Sequence, residues 1–151
     1  MTERSKRMLA ELDPLAQPVF EEFLLRLDKE LGNARYIVYE GLRSKLKQEA
    51  YFAQGRQSLA AVNALRRQVN LRPLVSEAQN YEITWTLKSK HIDGLAMDIT
   101  PMTGTGDATW DLGHYGHTFI RIRDCGKALG LICGADWQPP DWPHYEIRGI
   151  A

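Results

Sequence analysis

Residues 89–101 read Ser89-Lys90-His91-Ile92-Asp93-Gly94-Leu95-Ala96-Met97-Asp98-Ile99-Thr100-Pro101, and the far end of the chain carries a complement, Asp141-Trp142-Pro143-His144-Tyr145-Glu146. Leu95, Met97 and Ile99 alternate with Ala96, Asp98 and Thr100, the period of a strand with one buried face, and Pro101 closes it. Asp98 then stands on the face opposite the apolar set. His91 lies seven positions earlier, so on an unbroken strand it would point away from Asp98. Gly94 is therefore read as a turn or bulge that swings the imidazole round to the carboxylate. His144 adds a second imidazole, with Asp141 three residues before it and Pro143 stiffening the approach. Two imidazoles and one carboxylate leave one tetrahedral position open, the ligand set of a catalytic rather than a structural zinc ion. One Zn2+ held by His91, Asp98 and His144 is the expectation.

Outward from that stretch, 151 residues provide for one domain with an ordinary core. The 19 basic and 19 acidic side chains balance, so the overall charge argues for no nucleic-acid partner, though local basic patches remain open. The charged start is followed by Glu11, Asp13 and Pro14, which interrupt any apolar run, so neither a signal peptide nor a membrane span is expected. Cys125 and Cys133 are too few for a disulfide scaffold and are read as core-filling thiols.

Phe20, Phe23, Leu24, Leu27 and Leu31 recur at helical spacing, which predicts a helix from Pro14 to Gly32. Tyr36-Ile37-Val38-Tyr39 predicts a strand that delivers Glu40-Gly41-Leu42-Arg43 to its end. Ser44 and Ser58 are placed to cap helices running to about Gln54 and Val69. Glu82 to Leu87 reads as a further strand, Met102 to Gly113 as a Gly-rich loop, Thr118 to Leu129 as a helix and Leu131-Ile132-Cys133 as a final strand or turn. Helices flanking a small, mostly antiparallel sheet make the fold class α+β.

These motifs resemble a known family, the zinc D-alanyl-D-alanine carboxypeptidases and L-alanyl-D-glutamate peptidases, VanY-like proteins with a phage endolysin branch. The family's Ser-x-His-x-x-Gly-x-Ala-x-Asp pattern stands at Ser89, His91, Gly94, Ala96 and Asp98, and its acidic-x-x-His signature at Asp141 and His144. Glu40-Gly41-Leu42-Arg43-Ser44, Gln48, Tyr51 and Gln54-Gly55-Arg56 resemble the arginine-bearing segment of the endolysin-like branch, so the resemblance spans roughly residues 36–147. It implies zinc at His91, Asp98 and His144, Asp141 as catalytic base and Arg43 facing the scissile carbonyl. Some relatives carry glutamate where this chain has Asp141; aspartate occurs in endopeptidase members, which favours that activity.

At 151 residues the chain is expected to be a single zinc peptidase domain over residues 1–151, too short for a separate cell-wall-binding domain beside it. The expected activity is hydrolysis of the L-alanyl-D-glutamate bond of the peptidoglycan stem peptide in phage or prophage lysis. A D-alanyl-D-alanine carboxypeptidase and a non-catalytic zinc-containing wall-binding module are the alternatives. The expected setting is a monomer made in the bacterial cytoplasm that reaches the wall after the membrane is breached. Ser89 either touches substrate or fixes the turn before His91, and Arg56 is a candidate for a cationic substrate rim. His114 and His117 are not expected to be ligands, Asp107 and Asp111 are read as solvated, and Glu146 is expected to point away from His144.

Overall fold

The computed structural model describes residues 1–149. Its contacts fall into two compact units, one made of residues 1–42 with those from Asp93 onward, the other of residues 43–92.

The first unit opens with α1, Glu3–Ala10, a helix that the charged start does not announce; Thr2 precedes it in an extended conformation and its hydroxyl accepts the Ser5 N–H. Helix α2, Gln17–Glu30, begins three residues after Pro14, because the N–H groups of Ala16 and Gln17 both bond to the Asp13 carbonyl in a preceding turn (2.8 and 3.2 Å). Strands β1 (Tyr36–Glu40), β2 (Ala96–Pro101), β3 (Ile132–Cys133) and β4 (His144–Glu146) form one antiparallel sheet in the order β1-β2-β4-β3. The α+β expectation holds.

Met97 and Ile99 of β2, Val38 of β1 and Tyr145 of β4 face the helices, where Phe20, Phe23, Leu24 and Leu27 of α2 meet Ile122 and Cys125 of α5 (Leu112–Ala128). Each fully buried Phe or Leu of this layer contributes about 1.5–3 kcal/mol relative to exposure. The core thus uses the alternate face of β2 from the one that carries Asp98.

Helix α5 starts six residues earlier than its apolar pattern indicates, and the loop from Met102 ends two residues before the expected Gly113. Asp111 caps it by accepting the His114 N–H at 3.1 Å, so the helix tolerates Gly113 and Gly116 in its first turns.

The second unit contains α3, Lys45–Ala53, and α4, Leu59–Gln68, each begun as expected by a serine whose side chain accepts a backbone N–H, Ser44 from Lys47 and Ser58 from Ala61. The expected strand Glu82 to Leu87 is absent: this stretch is irregular, with bends at Trp85 and Leu87, and pairs with no strand among the described residues. Side chains satisfy it instead, with Gln48 Nε2 donating to the Thr86 carbonyl (2.7 Å) and Thr86 Oγ1 accepting the Lys88 N–H (2.8 Å). Among the described residues no helix is long and apolar enough to cross a membrane.

Two predictions arise from the core. The Tyr145 hydroxyl is buried without a hydrogen-bond partner among the described residues, while its ring packs edge-on against Phe23 at 5.0 Å. An unsatisfied buried donor costs about 1–3 kcal/mol, so Tyr145→Phe is expected to raise stability by about 1 kcal/mol and the thermal midpoint by about 2–4 °C. A lowered midpoint in calorimetry would refute this.

Both thiols are free and buried. Burial, with the hydrogen bond and charge of Glu30, pushes Cys125 up to about 11; burial and the charge of Asp136 push Cys133 up to about 11. The raised values mean that this contribution to stability is complete below the unfolded thiol range near 9 and is lost as pH rises through 11. The native protein is expected to show no fast reaction with a thiol reagent at pH 7.5, and two reactive thiols after unfolding.

Candidate metal centre

Asp98 and His144 stand directly opposite each other across the β2–β4 pair, and Glu40 of β1 opposes Asp98 from the other side. Opposed residues emerge on one face, so the β2–β4 pair sets Asp98 and His144 side by side, while the β1–β2 register shifts between Val38 and Glu40. His144 Nδ1 lies 3.5 Å from Asp98 Oδ1.

His91 comes from the turn before β2. Gly94 has the expected turn geometry, with φ +70°, and a Cβ added there would sit 2.7 Å from the Asp13 nitrogen. That nitrogen donates to the Gly94 carbonyl at 3.0 Å, so the position needs both the left-handed backbone and the missing side chain. Ser89 Oγ accepts the His91 N–H at 3.2 Å, the turn-fixing one of its two expected roles.

Each of His91, Asp98 and His144 offers one ligand atom, all within 4.8 Å of one another, and this is the one such group among the described residues. A zinc ion binds such donors at about 2.0–2.2 Å. The donor chemistry also fits. Burial by itself would lower the His144 pKa, but hydrogen bonds from its ring to Asp98 and Glu146 and the negative charges of Asp98 and Asp141 outweigh burial and push it up to about 9. Surroundings that hold a second proton on a buried imidazole at neutral pH favour a cation in the same place. The three residues can hold one zinc ion.

Glu146 corrects an expectation. It lies two residues after His144, so in β4 it shares the His144 face, and it is Tyr145 that points away into the core. Glu146 Oε1 is 2.9 Å from His144 Nε2. With Nδ1 turned to Asp98, Nε2 carries the hydrogen and donates it to Glu146, which sets the tautomer and ring orientation of a metal ligand. Glu146→Ala is expected to weaken zinc binding by about 10–100-fold, and Glu146→Gln, which keeps an acceptor oxygen, by less. Competition with a chromophoric chelator measures both, and an alanine variant with wild-type affinity would remove Glu146 from the site. The Trp137 ring covers His144 at 4.9 Å between centroids.

Asp141 occupies the exposed turn before β4. Its N–H donates to the Gly134 carbonyl (2.8 Å) and its carbonyl accepts the His144 N–H (3.3 Å). Gly134 is the second residue that sequence reasoning missed. A Cβ there would lie 2.3 Å from the Asp141 carbonyl oxygen and 2.9 Å from His144 Cβ. Its only signal in the sequence is a glycine following Cys133, which does not reveal what packs against it.

Within the second unit, Arg43 donates from Nη1 to Gln48 Oε1 (2.7 Å), stacks over the Tyr51 ring at 4.9 Å and bonds through its N–H to the His91 carbonyl (2.9 Å). Arg56 lies over the Phe52 ring at 3.9 Å and pairs with Glu82 at 3.4 Å, an exposed arrangement that stabilises little. His114 pairs with Asp111 at 2.7 Å on the surface, and neither it nor His117 belongs to the ligand group.

Residues 82–147 match a family model described as D-alanyl-D-alanine carboxypeptidase. A search of curated proteins found no match. The fold is similar to that of the L-Ala D-Glu endopeptidase ChiX of Serratia marcescens, with TM-score 0.55 and 22% identity over 98% of this chain and 89% of that one. It is also similar to the D,D-pentapeptidase VanY from a VanB-type vancomycin resistance cassette, solved in complex with Zn(II) (TM-score 0.50, 17% identity, 92% and 74% of the two chains). VanYB in complex with D-Alanine-D-Alanine gives TM-score 0.52 at 17% identity over 92% and 72%.

Proposed function

We propose that this chain, which the match over residues 82–147 supports as a VanY-like zinc metallopeptidase acting on peptidoglycan, cleaves the stem peptide between L-alanine and D-glutamate. The observation that carries the choice of bond is Asp141, the shorter acid found in endopeptidase members of the family it resembles, seated in the turn three residues ahead of His144.

In this reading His91, Asp98 and His144 hold one zinc ion. When bound, it lowers the pKa of a water toward about 7 and polarises a carbonyl oxygen. The Asp141 carboxylate takes the proton of the attacking water and passes it to the departing amine as the peptide bond breaks. The Arg43 guanidinium stabilises the negative charge that develops on the carbonyl oxygen. Its bonds to Gln48 and its stacking on Tyr51 fix that charge in place before substrate arrives, which removes the cost of reorganising it during the reaction.

The test is digestion of purified peptidoglycan by the zinc-loaded protein, with mass spectrometry of the products and Asp141→Ala as control. New N-terminal D-glutamate that depends on metal is the expected product. Free D-alanine would instead assign the chain to the D-alanyl-D-alanine carboxypeptidases. Zinc binding with neither product would leave a non-catalytic wall-binding module.

A further inference from the structure

The balanced overall charge conceals a separation along the chain. Residues 43–92 carry nine basic and three acidic side chains, a net charge of +6, while the rest of the chain carries ten basic and sixteen acidic, a net charge of −6. The basic excess is on the surface: Lys45, Arg56, Arg67, Arg72, Lys88 and Lys90 are all exposed. Of these only Arg56 has a carboxylate partner, Glu82; among the described residues Lys45, Arg67, Arg72, Lys88 and Lys90 take part in no ion pair. Arg66, by contrast, is used internally, bonding from Nε to the Arg72 carbonyl and from Nη1 to Gln54.

Exposed basic side chains without carboxylate partners attract anionic groups and raise their local concentration. We infer that residues 43–92 form an electrostatic docking surface for the carboxylates of uncleaved stem peptides along the peptidoglycan polymer, which holds the enzyme on its insoluble substrate between cleavages. This rests on the peptidase reading above and adds a second contact to it. Many weak charge pairs of this kind are screened by salt and act together only on a polymer that presents repeated carboxylates. A single soluble stem peptide gains nothing from them. The exposed rings of Tyr81 and Trp85, in the irregular stretch that leads to Lys88, supply flat apolar surface for the sugar faces of such a polymer.

The experiment is co-sedimentation of the full chain with peptidoglycan sacculi stripped of protein, lipid and attached phosphate polymers, at rising salt. It is run beside hydrolysis of a soluble stem peptide. The triple variant Lys45→Glu, Arg72→Glu, Lys88→Glu is compared with the corresponding glutamine variant, and thermal unfolding confirms that both fold. Wild-type protein is expected to sediment at low salt and to be released as salt rises. Blocking the sacculus carboxylates by amidation is expected to weaken binding about tenfold or more, as are the glutamate substitutions, with the glutamine variant between. Hydrolysis of the soluble peptide stays at the wild-type rate in both variants. Salt-insensitive binding, binding unaffected by amidation, or binding only to phosphate-bearing walls or anionic vesicles would overturn the docking surface. Salt-sensitive binding without cleavage of any peptide would sink the peptidase reading and leave the docking surface standing.

Discussion

Asp141→Asn is expected to lower kcat on a soluble stem peptide by about 10²–10⁴-fold, the usual contribution of a positioned general base, while zinc affinity changes by no more than a few-fold. The substitution keeps size and polarity and removes the ability to accept a proton. A competing role for Asp141 is to orient His144 as a metal ligand, and that predicts a different split: a 10–100-fold loss of zinc affinity with turnover restored at saturating metal. The geometry favours the first outcome. His144 already gives Nε2 to Glu146 at 2.9 Å and turns Nδ1 to Asp98 at 3.5 Å, so both ring nitrogens have their orientation set within the sheet. Single-turnover kinetics with metal titration separates the two, and an unchanged kcat would exclude Asp141 as the base.

Gly134→Val is expected to damage both folding and turnover, with Gly134→Ala milder in the same direction. The added Cβ meets a backbone oxygen of Asp141 at 2.3 Å and His144 Cβ at 2.9 Å, and neither can move without shifting the turn that carries both residues. The same glycine accepts the Asp141 N–H through its carbonyl, so the close approach and the hydrogen bond depend on one another. Overpacking of this kind costs about 1–3 kcal/mol, and a displacement of catalytic groups by about 1 Å costs on the order of 10²-fold in rate. For a chain of this length the thermal midpoint falls by about 2–4 °C per kcal/mol lost. Gly104→Ala is the control, since a Cβ there meets nothing within 4 Å. Wild-type turnover and midpoint in Gly134→Ala would show that the Asp141–His144 turn is not held in this way.

The three residues able to hold a metal ion were legible because their signal is local and periodic. Met97 and Ile99 alternate with Asp98, and Gly94 announces the turn that reorients His91. The serine caps of α3 and α4 were legible for the same reason, since an N-cap bonds to a backbone only three residues away. Such features need no knowledge of what packs against them.

The misread features depend on partners distant in sequence or on a local choice that the apolar pattern does not register. Glu82 to Leu87 has the composition of a strand, but a strand exists only if a neighbour offers its backbone, and here Gln48 offers a side chain instead. Helix α5 extends past its apolar pattern because Asp111 caps it, overriding the two early glycines. Gly134 and Glu146 acquire meaning only when β3 and β4 pair and bring the 134–136 turn against Asp141.

By itself, then, the amino-acid sequence determined which residues can bind the metal and which local segments cap, turn and alternate, because hydrogen-bond reach and side-chain periodicity act over a few residues. The tertiary structure alone decided that Gly134 had to lack a side chain, that Glu146 holds His144, and that Glu82 to Leu87 is no strand. Each of those depends on an atom supplied by another part of the chain, at a distance that no spacing in the sequence encodes.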